Sequence, residues 1–97
     1  MARLKITNKA REDLVGIARY TEVTWGREQR KLYLGQLDTL FQALAENPEL
    51  GHSCDEIKTG YYKKQEGSHI VFYRFSDLDG VVIVRVLHKR MDVSRNL

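Results

Sequence analysis

Between residues 10 and 25 the apolar positions Ala10, Leu14, Ile17, Ala18, Thr21 and Trp25 recur in steps of three and four. That is the spacing of one helical face, and Arg11, Glu12, Arg19, Glu22 and Thr24 fall largely outside it. The pattern predicts an amphipathic helix with Trp25 on its buried stripe. Thr7 or Asn8 is placed to cap it, with Glu12 and Asp13 expected to favour its positive end. Gly26 supplies the stop, because glycine accepts the backbone conformation of a helix end. A second stripe follows at once: Tyr33, Leu37, Leu40, Phe41 and Leu44, with Leu34 and Ala45 beside it. Pro48 ends it, since the residue before a proline avoids the helical region. Two long helices with almost no linker are predicted to fold back as a hairpin.

The remaining pattern is that of strands. "RLKIT" alternates, with Leu4 and Ile6 on one side and Lys5 on the other. "ELGHSCDEIKTGYYKKQEG" has little periodicity and predicts a loop with an edge strand around Ile57 to Tyr62. "SHIVFYRFSD" is rich in β-branched and aromatic residues, and "LDG" is a hairpin turn signal. The continuous apolar run "VVIVRVLH" predicts a central strand covered on both faces. The tail "KRMDVSRNL" fits either one short helical turn or a loose end. The fold expected over residues 1–97 is a single α+β domain. It has an N-terminal strand, a two-helix hairpin and a three-stranded antiparallel meander, with the helices packed on one sheet.

Composition narrows the function classes. Ninety-seven residues, 42% of them apolar, suffice for one core and leave no room for a deeply enclosed cofactor pocket, so no cofactor is expected. The net charge of +3 is spread along the chain without a block, and both helices exceed those of a compact helix-turn-helix reader. No sequence-specific contact with nucleic acid is expected. One cysteine, Cys54, allows no internal disulfide, which fits a reducing cytosol. The start lacks the apolar core of a signal peptide, and no run approaches the roughly 18 apolar residues of a membrane span. A soluble cytoplasmic protein without a membrane partner is expected. His52 and Cys54 in "GHSC" are two ligands short of a zinc site, so no metal is expected.

Four segments, in order over residues 3–93, carry a resemblance: "DLVGIARYTEVTWG", "LYLGQLDTLFQALAENPELG", "GSHIVFYRF" and "VVIVRVLHKRMD". Their most specific pieces are the corner "YTEVTWG", Pro48 followed by Gly51, and the end "RVLHKRMD". Together they resemble the ParE toxins of the RelE/ParE superfamily of bacterial type II toxin–antitoxin modules. The resemblance implies inhibition of DNA gyrase and neutralisation by a cognate antitoxin of the ParD type.

Two uses of the C-terminal cluster follow. In the sister RelE branch a similar fold cleaves mRNA on the ribosome, and cationic and acid–base side chains supply that chemistry. Arg74, Arg85 and His88 are the candidates here, with Lys63, Lys64, His69 and Arg90 as possible company. Against this, no tyrosine or glutamate follows His88, Asp92 weakens the local positive field, and alternation along a straight strand puts Arg85 and His88 on opposite faces. The alternative assigns His88, Arg90 and Asp92 to contact with gyrase. A structural role, with Arg85 and His88 paired to carboxylates or backbone, is the plain alternative to both. For the antitoxin, Tyr20 and Trp25 are candidate contacts. Val71, Tyr73, Val82 and Val84 are candidates for the floor of an apolar groove, unless the protein's own helices cover them.

Overall fold

A computed structural model describes residues 3–97. Strand β1 (Leu4–Ile6) leads into helix α1 (Asn8–Trp25), and helix α2 (Arg27–Glu46) follows after the single residue Gly26. Gly26 has φ 96°, in the region that favours glycine, and closes the hairpin corner. A 3-10 turn at Pro48–Leu50 leads to the two-residue strand β2 (His52–Ser53). The meander is β3 (Tyr62–Glu66), β4 (His69–Ser76) and β5 (Gly80–His88), and a single turn, α3 (Val93–Asn96), ends the chain. Residues 54–61 form turns, so the expected edge strand lies later, at β3.

The five strands lie in the order β1-β5-β4-β3-β2, with β1 parallel to β5 and the other neighbours antiparallel. The interior position of β5 accounts for its continuous apolar run. Val81, Ile83 and Val86 face a core formed with Ala10, Ile17, Leu37, Phe41 and Leu44 of the helices. Leu87 packs with Phe72 and Cys54 in a second, smaller core, covered by Tyr61, Val93 and Leu97.

Two details set the geometry of the site. Val84 has no partner in β4, because Tyr73 pairs with Ile83 while Phe72 pairs with Arg85. This bulge shifts the alternation by one residue, so the helix-facing side of β5 changes from Val81 and Ile83 to Val86 and His88. Thr7 ties α1 to the bulge: its Oγ1 accepts from Ala10 N–H at 3.1 Å and donates to the Val84 carbonyl at 2.8 Å. The first turn of α1 holds no acidic residue; Glu12 and Asp13 lie one turn further on. They therefore do not serve the helix end as the sequence predicted.

Tyr73 explains the spacing of Pro48 and Gly51. Its buried hydroxyl donates to the Pro48 carbonyl at 2.7 Å and accepts from Gly51 N–H at 2.9 Å. A Cβ on Gly51 would lie 2.5 Å from that oxygen, so only glycine fits.

Candidate functional site

Beyond the end of β1, the helical hairpin and the ends of β4 and β5 enclose a groove of about 1060 Å³. Tyr20 and Trp25 form one wall, and they are 67% and 70% exposed. The apolar stripe of α1 buries Ala10, Ile17 and Thr21, one turn short of Trp25. The prediction of a core Trp25 is therefore corrected: Trp25 lies past the buried part of the stripe, and with Tyr20 it lines the groove. Gly16 leaves the middle of α1 without a side chain, which widens the groove there.

The opposite side is polar. Tyr33, from α2, donates its hydroxyl to the Glu66 carbonyl at 2.9 Å and meets His69 Nδ1 at 2.6 Å. Gly67, at φ 56°, makes room for that ring, since a Cβ would lie 2.8 Å from Tyr33 Cε1. His69 and His88 pair across β4 and β5, with ring centroids 5.4 Å apart and edge to face. Burial, then the neighbouring His88, holds His69 below the ordinary histidine pKa, which favours its neutral form. Burial likewise raises the Tyr33 phenol.

Asp13 and Arg85 brace the groove at the free edge of β5. The Asp13 carboxylate accepts from Arg85 Nε at 2.8 Å, from its second guanidinium nitrogen at 2.9 Å, and from Val86 N–H at 2.9 Å. Arg85 also donates to the Asn96 carbonyl at 2.8 Å, which ties down α3. Hydrogen bonding to Asp13 raises the Arg85 pKa further.

The candidates named from sequence separate on this frame. Arg74 sits opposite Val82 towards the β4–β5 turn and pairs with Asp79 at 3.6 Å, while His88 closes the other end of β5. Arg85 is engaged by Asp13. Arg74, Arg85 and His88 thus do not converge on one centre. Asp92 caps α3, accepting from Ser94 N–H at 3.1 Å and Ser94 Oγ at 2.7 Å. Arg90 is exposed, and its backbone N–H donates to His88 Nδ1 at 3.1 Å. Val71 and Tyr73 are 0% exposed beneath the protein's own helices, so they do not form an open groove floor. Val82 is buried too, and Val84 is the bulge residue. Of the four residues assigned to antitoxin contact, Tyr20 and Trp25 line the groove and Val71 and Tyr73 do not. The sequence reading passed over Glu12 and Asp13 as site residues, and it assigned Tyr33 to packing.

Residues 4–93 match the profile of the family described as ParE toxin of type II toxin–antitoxin system, parDE. The chain belongs to this ParE toxin family. It is 35% identical over 97 residues to Toxin ParE1 of Caulobacter vibrioides, covering all of this chain and 99% of that one. It is 48% identical over 73 residues to Toxin ParE1 of Mycobacterium tuberculosis, 75% of this chain and 74% of the relative. A structure of the chromosomal ParDE toxin–antitoxin system from P. aeruginosa superposes with TM-score 0.76 at 20% identity, covering 91% of this chain and 96% of that one. The toxin–antitoxin complex RelBE2 from Mycobacterium tuberculosis gives TM-score 0.64 at 23% identity, covering 91% and 98%. At these identities the two structures show the shared fold, which is the ParE/RelE arrangement of a helical hairpin on a sheet. Among the described residues, no helix is long and apolar enough to cross a membrane.

Proposed function

We propose that this ParE-family chain inhibits DNA gyrase without catalysis of its own, and that a ParD-type antitoxin neutralises it by laying a segment in the groove. The observation that carries the antitoxin half is the wall of Tyr20 and Trp25 facing a 1060 Å³ opening. Two large aromatic side chains held exposed over a groove fit the anchoring role such residues take at interfaces. An amphipathic segment has its apolar face to offer that wall.

The gyrase half rests on family membership and on how the basic residues are used. A phosphodiester-cleaving site needs several acid–base and cationic groups around one phosphate. Arg74 and Arg85 are each paired with a carboxylate, at separate places. Lys89 and Arg90, exposed just before α3, remain available for a protein surface. Asp92 contributes by capping the turn that fixes them.

The test is a gyrase supercoiling and DNA-cleavage assay with antitoxin-free protein. Inhibition with accumulation of linear DNA is expected, and Arg90→Ala should weaken it. Undiminished supercoiling at saturating protein overturns the gyrase reading. A translation assay then separates a ribosome-dependent nuclease from an inactive binding module.

A further inference from the structure

Gly16 sits in the middle of α1, where glycine weakens a helix relative to alanine. Packing does not account for it: a Cβ at this position meets nothing within 4 Å. The glycines described above are demanded by the fold, Gly26 and Gly67 by their positive φ and Gly51 by the Tyr73 hydroxyl. Gly16 instead opens onto the groove. Glu12, Gly16 and Tyr20 are spaced by four, so they form one row along the surface of α1. All three are exposed, and all three line the groove. Gly16 is therefore a gap one side chain wide, with a carboxylate on one side and a phenol ring on the other. Long helical side chains lean towards the helix N-terminus, which directs Tyr20 to the gap.

The charges around the gap select what fills it. The chain carries 16 Lys and Arg residues, yet none of them lines the groove, whereas Glu12 and Asp13 do. Asp13 is taken by Arg85. Glu12 has no ion-pair partner among the described residues, although Lys9 lies one turn away on the same helix. An anion at the gap meets the Glu12 carboxylate and is repelled. An apolar group strips water from that carboxylate and gives it no partner. A cation pairs with Glu12 and also meets the face of Tyr20, which attracts positive charge.

We propose that the Glu12–Gly16–Tyr20 row is a subsite for a basic residue of the antitoxin, whose Arg or Lys head group rests over Gly16 between the Glu12 carboxylate and the Tyr20 ring. The inference rests on the groove reading above and adds the chemistry of one contact to it. Trp25 anchors the apolar part of the segment, and the row sets its register. A segment shifted along the groove leaves Glu12 desolvated without a partner. The contact also makes association weaker in high salt, because salt screens the pair.

Affinity for the antitoxin protein decides the matter, measured by calorimetry at low and high salt for the wild type, Glu12→Gln, Gly16→Leu and Trp25→Ala. Glu12 is exposed and Gly16 faces open space. Neither Glu12→Gln nor Gly16→Leu should therefore lower the melting temperature by more than about 4 °C. Each should weaken antitoxin binding about tenfold or more, and Glu12→Gln should also flatten the salt dependence. Replacing the antitoxin's Arg and Lys residues by Met, one at a time, should identify one position whose loss does not add to that of Glu12→Gln. Either Glu12→Gln or Gly16→Leu binding within about twofold of the wild type, while Trp25→Ala is weakened, overturns the subsite and keeps the groove. All three binding normally overturns the groove reading and the subsite with it. A loss in Glu12→Gln that couples to no basic residue of the antitoxin also overturns the subsite.

Discussion

Replacing Asp13 by alanine should cost this fold about 3 kcal/mol, although Asp13 lies on the surface-facing helix α1. Its carboxylate takes three hydrogen bonds, two from Arg85 and one from Val86 N–H. The side chains of Arg85 and Asp13 are only 16% and 14% exposed. Removing one partner of a buried pair costs about 3–5 kcal/mol, because the other charge stays desolvated. The residual exposure lets water reach the guanidinium, which places the loss at about the lower end of that range. For a domain of this size each kcal/mol lowers the melting temperature by about 4–8 °C, so the shift should be about 12–24 °C. Urea melts of the wild type, Asp13→Ala, Asp13→Asn and the double variant Asp13→Leu/Arg85→Met measure it. Asn keeps one acceptor and should lose about half as much. The double variant buries no lone charge but still strands Val86 N–H, so it should recover part of the loss and remain about 1–2 kcal/mol below the wild type. A loss below about 1 kcal/mol for Asp13→Ala would refute the view that this pair locks α1 to the sheet.

Trp25→Ala should change the isolated protein's stability by less than about 1 kcal/mol, since the side chain is 70% exposed. The same substitution should weaken antitoxin binding at least about tenfold, as expected for an interface anchor; a large fall in melting temperature would restore the core assignment. Tyr73→Phe should destabilise by about 1–3 kcal/mol, because it strands the Pro48 carbonyl and Gly51 N–H, and an unchanged urea midpoint would contradict that. The depressed pKa of His69 gives stability a pH dependence. As pH falls below about 6.5, the unfolded chain takes up the proton first, so stability should drop until the folded-state value is passed. Melting temperatures between pH 7.5 and 5 should show this slope, and His69→Gln should flatten it; a wild-type slope retained in the variant would remove His69 as its source.

Much of the architecture was legible because each element carries its own periodicity. The helical stripes, Gly26, Pro48 and the β-branched run of β5 are local signals, and they predicted the hairpin and the meander. The edge strand was misplaced because residues 54–61 have neither period. Trp25 was misassigned for a related reason: a stripe records which face of a helix is apolar, but not how far along it burial extends. Arg85 shows the same gap in reverse. Its charge invited a catalytic role, while its partner lies 72 residues away on α1, a distance no local pattern spans.

The sequence by itself determined the α+β class, the core-facing stripes of α1 short of Trp25 and of α2, and the ParE resemblance, because these follow from residue type and spacing along the chain. Only the tertiary structure decided the site. The unpaired Val84 turns His88 onto the helix side of β5, where straight alternation from Val81 and Ile83 would have turned it away. Register then sets His69 against His88, and Tyr33 reaches them across a gap that Gly67 leaves open. Which face a strand residue meets after a bulge depends on where the neighbouring strand supplies its hydrogen bonds. That information exists only once the strands have paired.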